Sequence, residues 1–170
     1  NADYTSIISP RHYQRLTRLV EEARERGAEV VELAGPHDSE ARVFSPVAVI
    51  GAPDETAVMS EEIFGPILPI VPYDTLDEAI AYINHRDRPL ALYWFGEDKA
   101  AQERVLTGTI AGGVTVNDTI LHLAQDDLPF GGVGASGYGA YHGEAGFAAL
   151  SKEKPVLKQS AISGVKFLYP

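Results

Sequence analysis

Between residues 67 and 116 the chain alternates strand, helix, strand, helix and strand, and this order constrains its fold more than any other feature. Residues 67–73 (ILPIVPY) read as a short apolar strand, and their prolines mark an edge or a bulge. Thr75 and Glu78 stand three apart, a capping box ahead of a stripe of Leu76, Ala79, Ile80 and Ile83 that is expected to be buried. Residues 90–95 (LALYWF) are an uninterrupted apolar run, the pattern of a strand covered on both faces. A helix from Lys99 to Thr107 stops at Gly108, and GGVTV (112–116) supplies the third strand. Strands joined by helices at this spacing imply right-handed crossovers and an α/β fold with a parallel sheet.

The flanks are different. Ser9 and Pro10 open a helix expected over Pro10–Arg26, with Tyr13, Leu16, Leu19, Val20 and Ala23 at steps of three and four and Gly27 as its stop. Strands are expected near residues 28–33 and 43–50, separated by the polar loop AGPHDSEA. Past Asp118 the composition changes: seven of the 16 glycines lie between Gly131 and Gly146. Residues 119–142 therefore read as a long loop after the carboxyl end of a parallel strand, where open α/β sheets bind ligands.

A length of 170 residues suits one domain of ordinary size, and 45% hydrophobic with 22% charged residues describes a globular chain. The net charge of −10 leaves no basic footprint for nucleic acid and opposes an anionic membrane surface. No apolar run approaches the ~20 residues of a spanning helix. The N-terminus has no basic segment leading into an apolar stretch, so no signal peptide is expected. Asn1 in place of Met leads us to expect a processed or excised piece. The cysteine count is zero, which excludes disulfides, thiolate metal sites and a cysteine nucleophile within these residues.

Side-chain chemistry is sparse. GGVGASG lacks the strand–turn–helix succession of a dinucleotide fingerprint and the Walker lysine, so tight turns and close backbone packing are the expectation there. Of the five histidines none pairs at i,i+4, and no metal site is expected. His12 and His85 are placed on solvated helix faces, while His122 and His142 flank the long loop. Glu61-Glu62 and Asp126-Asp127 are adjacent pairs whose side chains diverge, so neither is a ready dyad. No G-x-S-x-G elbow is present.

EEIFGPILPI (61–70) followed by LPFGGVGASGYG (128–139) resembles the aldehyde dehydrogenase superfamily, with the two motifs in that family's order. INHRDRPLALYWF (83–95), Tyr141-His142-Gly143 and the ending KFLYP resemble its class 3 branch, and LSKEKPVLKQS (150–160) is similar to bacterial coniferyl-aldehyde dehydrogenases. The resemblance implies part of a parallel-sheet, three-layer catalytic domain. Residues 1–170 would be a single partial domain, its C-terminal part, with segments reaching the oligomerisation region. The N-terminal dinucleotide-binding domain, the nucleophilic cysteine and the general-base glutamate would lie outside the chain.

By the same resemblance the cofactor is NAD or NADP, with Glu62 accepting hydrogen bonds from the nicotinamide-ribose hydroxyls and Phe64 packed beside the nicotinamide. Ile120, Leu123 and Phe130, with His142 more peripheral, would form an apolar funnel for an aromatic aldehyde, although Gln125-Asp126-Asp127 departs from many relatives at its mouth. No catalytic residue falls within the chain. A cytoplasmic homodimer is implied. As part of a domain the chain should also leave LALYWF and PVAVI (46–50) with apolar surface or an unpaired edge. The alternative is a catalytically dead binding or assembly module.

Overall fold

The computed structural model describes residues 3–159, so the KFLYP ending and Ser160 of the 150–160 motif lie outside it. The chain divides into two units between Asp74 and Thr75.

The first unit is built on α1 (Pro10–Glu25), where Ser9 accepts from the His12 amide and Pro10 occupies the first turn. Strands β1 (Glu29–Glu32), β2 (Val47–Ile50) and β3 (Ile67–Ile70) form one sheet in the order β1-β2-β3. β1 runs antiparallel to β2, and β2 runs parallel to β3. The proline-bearing strand is at the edge, as its sequence requires. A four-residue helix, α2 (Ala57–Ser60), precedes it. The core packs Leu16, Leu19, Val20 and Ala23 of α1 against Phe44, Val47, Val49 and Ile67. PVAVI is thus the centre of the sheet, with Val47, Ala48 and Val49 buried, and not an exposed edge. The region expected as one strand over 43–50 is shorter, because Val43 forms an isolated bridge with Asp38 that closes the 38–43 loop.

The second unit begins with α3 (Leu76–His85), whose Thr75–Glu78 capping box is complete in both directions. β4 (Ala91–Trp94) pairs in parallel with β5 (Gly113–Val116), and α4 (Lys99–Gly108) connects them. The α/β class with parallel strands is present, yet the alternating run is shared between two sheets, with β3 in the first and β4-β5 in the second. Leu76, Ala79, Ile80 and Ile83 are half-buried instead of buried. The expected double cover of 90–95 is also absent among the described residues. Leu92 is buried, but Tyr93 and Phe95 are exposed, as are Val114 and Val116 of β5. A two-stranded sheet has too little neighbouring surface to cover both faces. Beyond the loop, α5 (Gly143–Ala149) is a helix that residue patterning did not indicate, since two of its seven residues are glycine and it closes a glycine-rich tract.

Candidate functional site

In the first unit the segment Glu61–Gly65 is a turn held by two side chains of α1. Arg15 Nη1 donates to Glu61 Oε2 at 3.1 Å, and Arg15 Nη2 donates to the Glu62 carbonyl at 3.0 Å and to the Ile63 carbonyl. His12 Nε2 lies 2.6 Å from the Phe64 carbonyl. Since a carbonyl only accepts, Nε2 carries the proton, and Nδ1 is free to accept from Arg15 Nε at 3.4 Å. His12 is therefore half-buried and engaged; the expectation of a solvated face is corrected. His85 is exposed as expected.

This anchoring separates the roles of the two adjacent acids. Glu61 is ion-paired with Arg15, whereas the exposed Glu62 carboxylate has no hydrogen-bond partner among the described residues. Phe64 adopts a left-handed backbone (φ 47°), and the residue is 74% exposed. A bulky residue in that conformation is uncommon and is sustained here by its bonded carbonyl. The turn offers an unpaired carboxylate with two acceptor oxygens and an exposed aromatic face. A ribose diol and a flat heteroaromatic ring fit that pair of features.

In the second unit the carboxyl ends of β4 and β5 lie on the same side, as parallel strands require. Asn117 joins them: its Oδ1 accepts from the Gly96 amide at 2.8 Å and its Nδ2 donates to the Gly96 carbonyl at 3.2 Å. The following loop contains two 3-10 turns, Leu121–Ala124 and Gly134–Ser136. Phe130 and Tyr141 exchange two backbone hydrogen bonds of 2.9 Å and close residues 131–140 into an ordered lobe. A Cβ on Gly131 would collide with the Gly139 carbonyl and one on Gly132 with the Ser136 carbonyl, so close backbone packing is the use of these two, while Gly134 supplies a positive φ.

The lobe's neck carries a row of rings. Tyr93 and His122 centroids are 6.1 Å apart, His122 and Phe130 5.8 Å, and Phe130 and His142 6.2 Å in a stacked arrangement. Phe130 and His142 are thus brought together. Ile120 and Leu123 are exposed on and beside the first 3-10 turn and make no part of the row. His122, which residue reasoning left as a flanking histidine, is an inner member of the row, between Tyr93 and Phe130. It is only 8% exposed and hydrogen-bonded through Nδ1 to Thr115 Oγ1 at 2.8 Å. The available signal was Gly113, where a Cβ would sit 2.6 Å from the His122 ring. Among the described residues no three His, Cys, Asp or Glu side chains converge as a metal site, and no helix is long and apolar enough to cross a membrane.

The aldehyde dehydrogenase family model matches residues 1–156. A probable coniferyl aldehyde dehydrogenase of Pseudomonas aeruginosa is 49% identical over 170 residues, covering 100% of this chain and 35% of that protein. Aldehyde dehydrogenase family 3 member A2 of Pongo abelii is 44% identical over 158 residues, 93% of this chain and 31% of its own. Among solved structures, substrate-bound Staphylococcus aureus AldH matches with a TM-score of 0.79 and 44% identity over 94% of this chain and 34% of that one. The chain spans about a third of the length of the curated relatives it matches.

Proposed function

This chain belongs to the aldehyde dehydrogenase family, and from that premise we propose that it is the C-terminal portion of the catalytic domain of an NAD(P)-dependent enzyme oxidising an aromatic, coniferyl-type aldehyde to the acid. The observation that carries the cofactor half of this reading is the division of labour at Glu61-Glu62, which leaves one carboxylate free beside an exposed phenyl ring. The substrate half is supported by the Phe130–His142 stack and by the 49% identity to a protein described as a probable coniferyl aldehyde dehydrogenase.

In this reading a cysteine thiolate and a dinucleotide-binding domain come from outside these residues, since the chain has no cysteine. NAD or NADP, when bound, supplies a hydride acceptor. Glu62 holds the nicotinamide ribose through its hydroxyls. Phe64 would pack beside the nicotinamide and limit its swing, a positioning role. Ile120, Leu123 and Phe130, with His142 more peripheral, would present apolar walls to the aldehyde's aromatic ring.

Glu62→Ala in the full-length enzyme removes a charged acceptor whose hydrogen bonds are worth about 1.5–3 kcal/mol. Cofactor dissociation constants and the rate of hydride transfer, read by stopped-flow absorbance, should change by about tenfold or more in one or both. Wild-type values for both would remove Glu62 from the cofactor site.

The enzyme is proposed to act as a homodimer, and the exposed Tyr93, Phe95, Val114 and Val116 bear on the chain's own behaviour. Apolar strand surface of this kind is uncommon on a soluble monomer. The 170-residue chain should self-associate in sedimentation velocity at micromolar concentration and moderate salt, where its charge of −10 is screened. An 18.4 kDa monomer that binds no hydrophobic dye would contradict this expectation.

A further inference from the structure

We propose that Arg15 is a positioning residue for cofactor binding, acting through the Glu61–Gly65 turn without touching the cofactor itself. The proposal rests on the reading of Glu62 and Phe64 as cofactor residues and deepens it.

Three successive carbonyls, those of Glu62, Ile63 and Phe64, are taken up by Arg15 and His12, which stand one helical turn apart on α1. Carbonyls oriented toward α1 fix the peptide planes of the turn, and so fix where the Glu62 and Phe64 side chains leave the backbone. The contact is built for a guanidinium. One planar fork serves a carboxylate on Nη1, two carbonyls on Nη2 and the His12 ring on Nε, and an ammonium cannot supply that set of directions. The ion pair to Glu61 also decides which acid of the pair stays available. Without Arg15 both carboxylates are unpaired and adjacent, and the turn has no preference for presenting Glu62.

Arg15 is 24% exposed at its side chain against 45% for Glu61, so the pair is partly withdrawn from water and less weakened by screening than a surface pair. The separation of 46 residues between the two partners makes this a tertiary contact. It ties the turn to the most deeply packed helix of the first unit, whose Leu16 and Leu19 are fully buried.

The test uses full-length enzyme and equilibrium binding of NAD⁺ and NADP⁺, so it does not depend on turnover. Arg15→Met should weaken binding of the preferred cofactor about tenfold, and Arg15→Lys by about threefold, because a lysine restores charge but not the fork. Glu61→Gln, which loosens the guanidinium and leaves α1 intact, should also weaken binding. KM for the aldehyde should stay within about twofold in all three, a split that general loss of structure does not produce. Added to Glu62→Gln, Arg15→Met should have a smaller effect than it has alone, since part of its effect runs through Glu62.

If Glu62→Gln leaves both cofactor affinity and the rate of hydride transfer unchanged, the cofactor reading falls and this proposal with it. If Glu62→Gln weakens binding while Arg15→Lys and Glu61→Gln do not, the turn needs no clamp and the proposal alone is overturned. Fully additive effects of Arg15→Met and Glu62→Gln overturn it as well. Should Arg15→Met fail to fold, the Lys and Glu61→Gln variants and their doubles with Glu62→Gln decide the matter.

Discussion

The isolated 170-residue chain should form no NAD(P)H from any aldehyde. Oxidation by this family's route requires a thiolate that adds to the carbonyl, stays bonded in the thioester left by hydride transfer and is released when water hydrolyses it, and the chain has no cysteine to supply one. The aliphatic hydroxyls of Thr115 and Ser136 do not substitute for it. Thr115 Oγ1 is engaged with His122, and Ser136 Oγ is bonded to the Val133 carbonyl and amide within the lobe. A hydroxyl also lacks the thiolate fraction that makes cysteine reactive near neutrality. Absorbance at the reduced-nicotinamide band should therefore match a buffer blank at any chain concentration. Aldehyde-dependent signal above that blank, surviving removal of trace contaminants by a second purification, would refute the assignment of the nucleophile to another part of the protein.

Leu16→Ala should cost about 2–5 kcal/mol of stability, the range for truncating a fully buried leucine to alanine. Leu16 is 0% exposed and lies at the centre of the α1 core. It also supports the candidate cofactor turn directly: a Cβ on Gly65 would be 2.6 Å from both Leu16 methyls, so the turn's backbone rests on this side chain. The cavity left by alanine opens beneath the turn, and the loss should be local as well as global. Hydrogen exchange in the full-length protein should show reduced amide protection in α1 and residues 61–65 with α4 unchanged. A shift below about 1 kcal/mol would mean that the surrounding Leu19, Val49 and Ile67 collapse to fill the space.

Much of the local structure was legible from the residues alone. Ser9, the Thr75–Glu78 box and the stops at Gly27 and Gly108 each act within about one helical turn of themselves; the helices at Pro10 and Lys99 end within a residue of expectation, and the third starts directly after Thr75. The prolines of 67–73 place that strand at an edge because a missing N–H needs no distant information to have its effect. The candidate site was legible in another way. Side-chain chemistry gave no reason to prefer Glu62 over Glu61, and it was the motif EEIFGP that pointed to Glu62 and Phe64. His12 and His122 were missed as engaged residues because their partners, Phe64 and Thr115, lie 52 and 7 residues away at positions no periodicity connects.

By itself, then, the sequence determined where the helices begin and end, that the chain is of the α/β class with parallel strands, and which family it belongs to. Each of these depends on signals a few residues long or on motif identity. The tertiary structure decided sheet membership, which put β3 beside β2 and β4 beside β5, and burial, which hid PVAVI and left Phe95 of LALYWF 62% exposed. It also decided which of two adjacent glutamates is free. The physical reason is common to all three. An apolar run or a carboxylate pair states what a segment needs, an opposing surface or a cation, and only the folded chain brings forward the segment that meets the need, as Arg15 does for Glu61 across 46 residues.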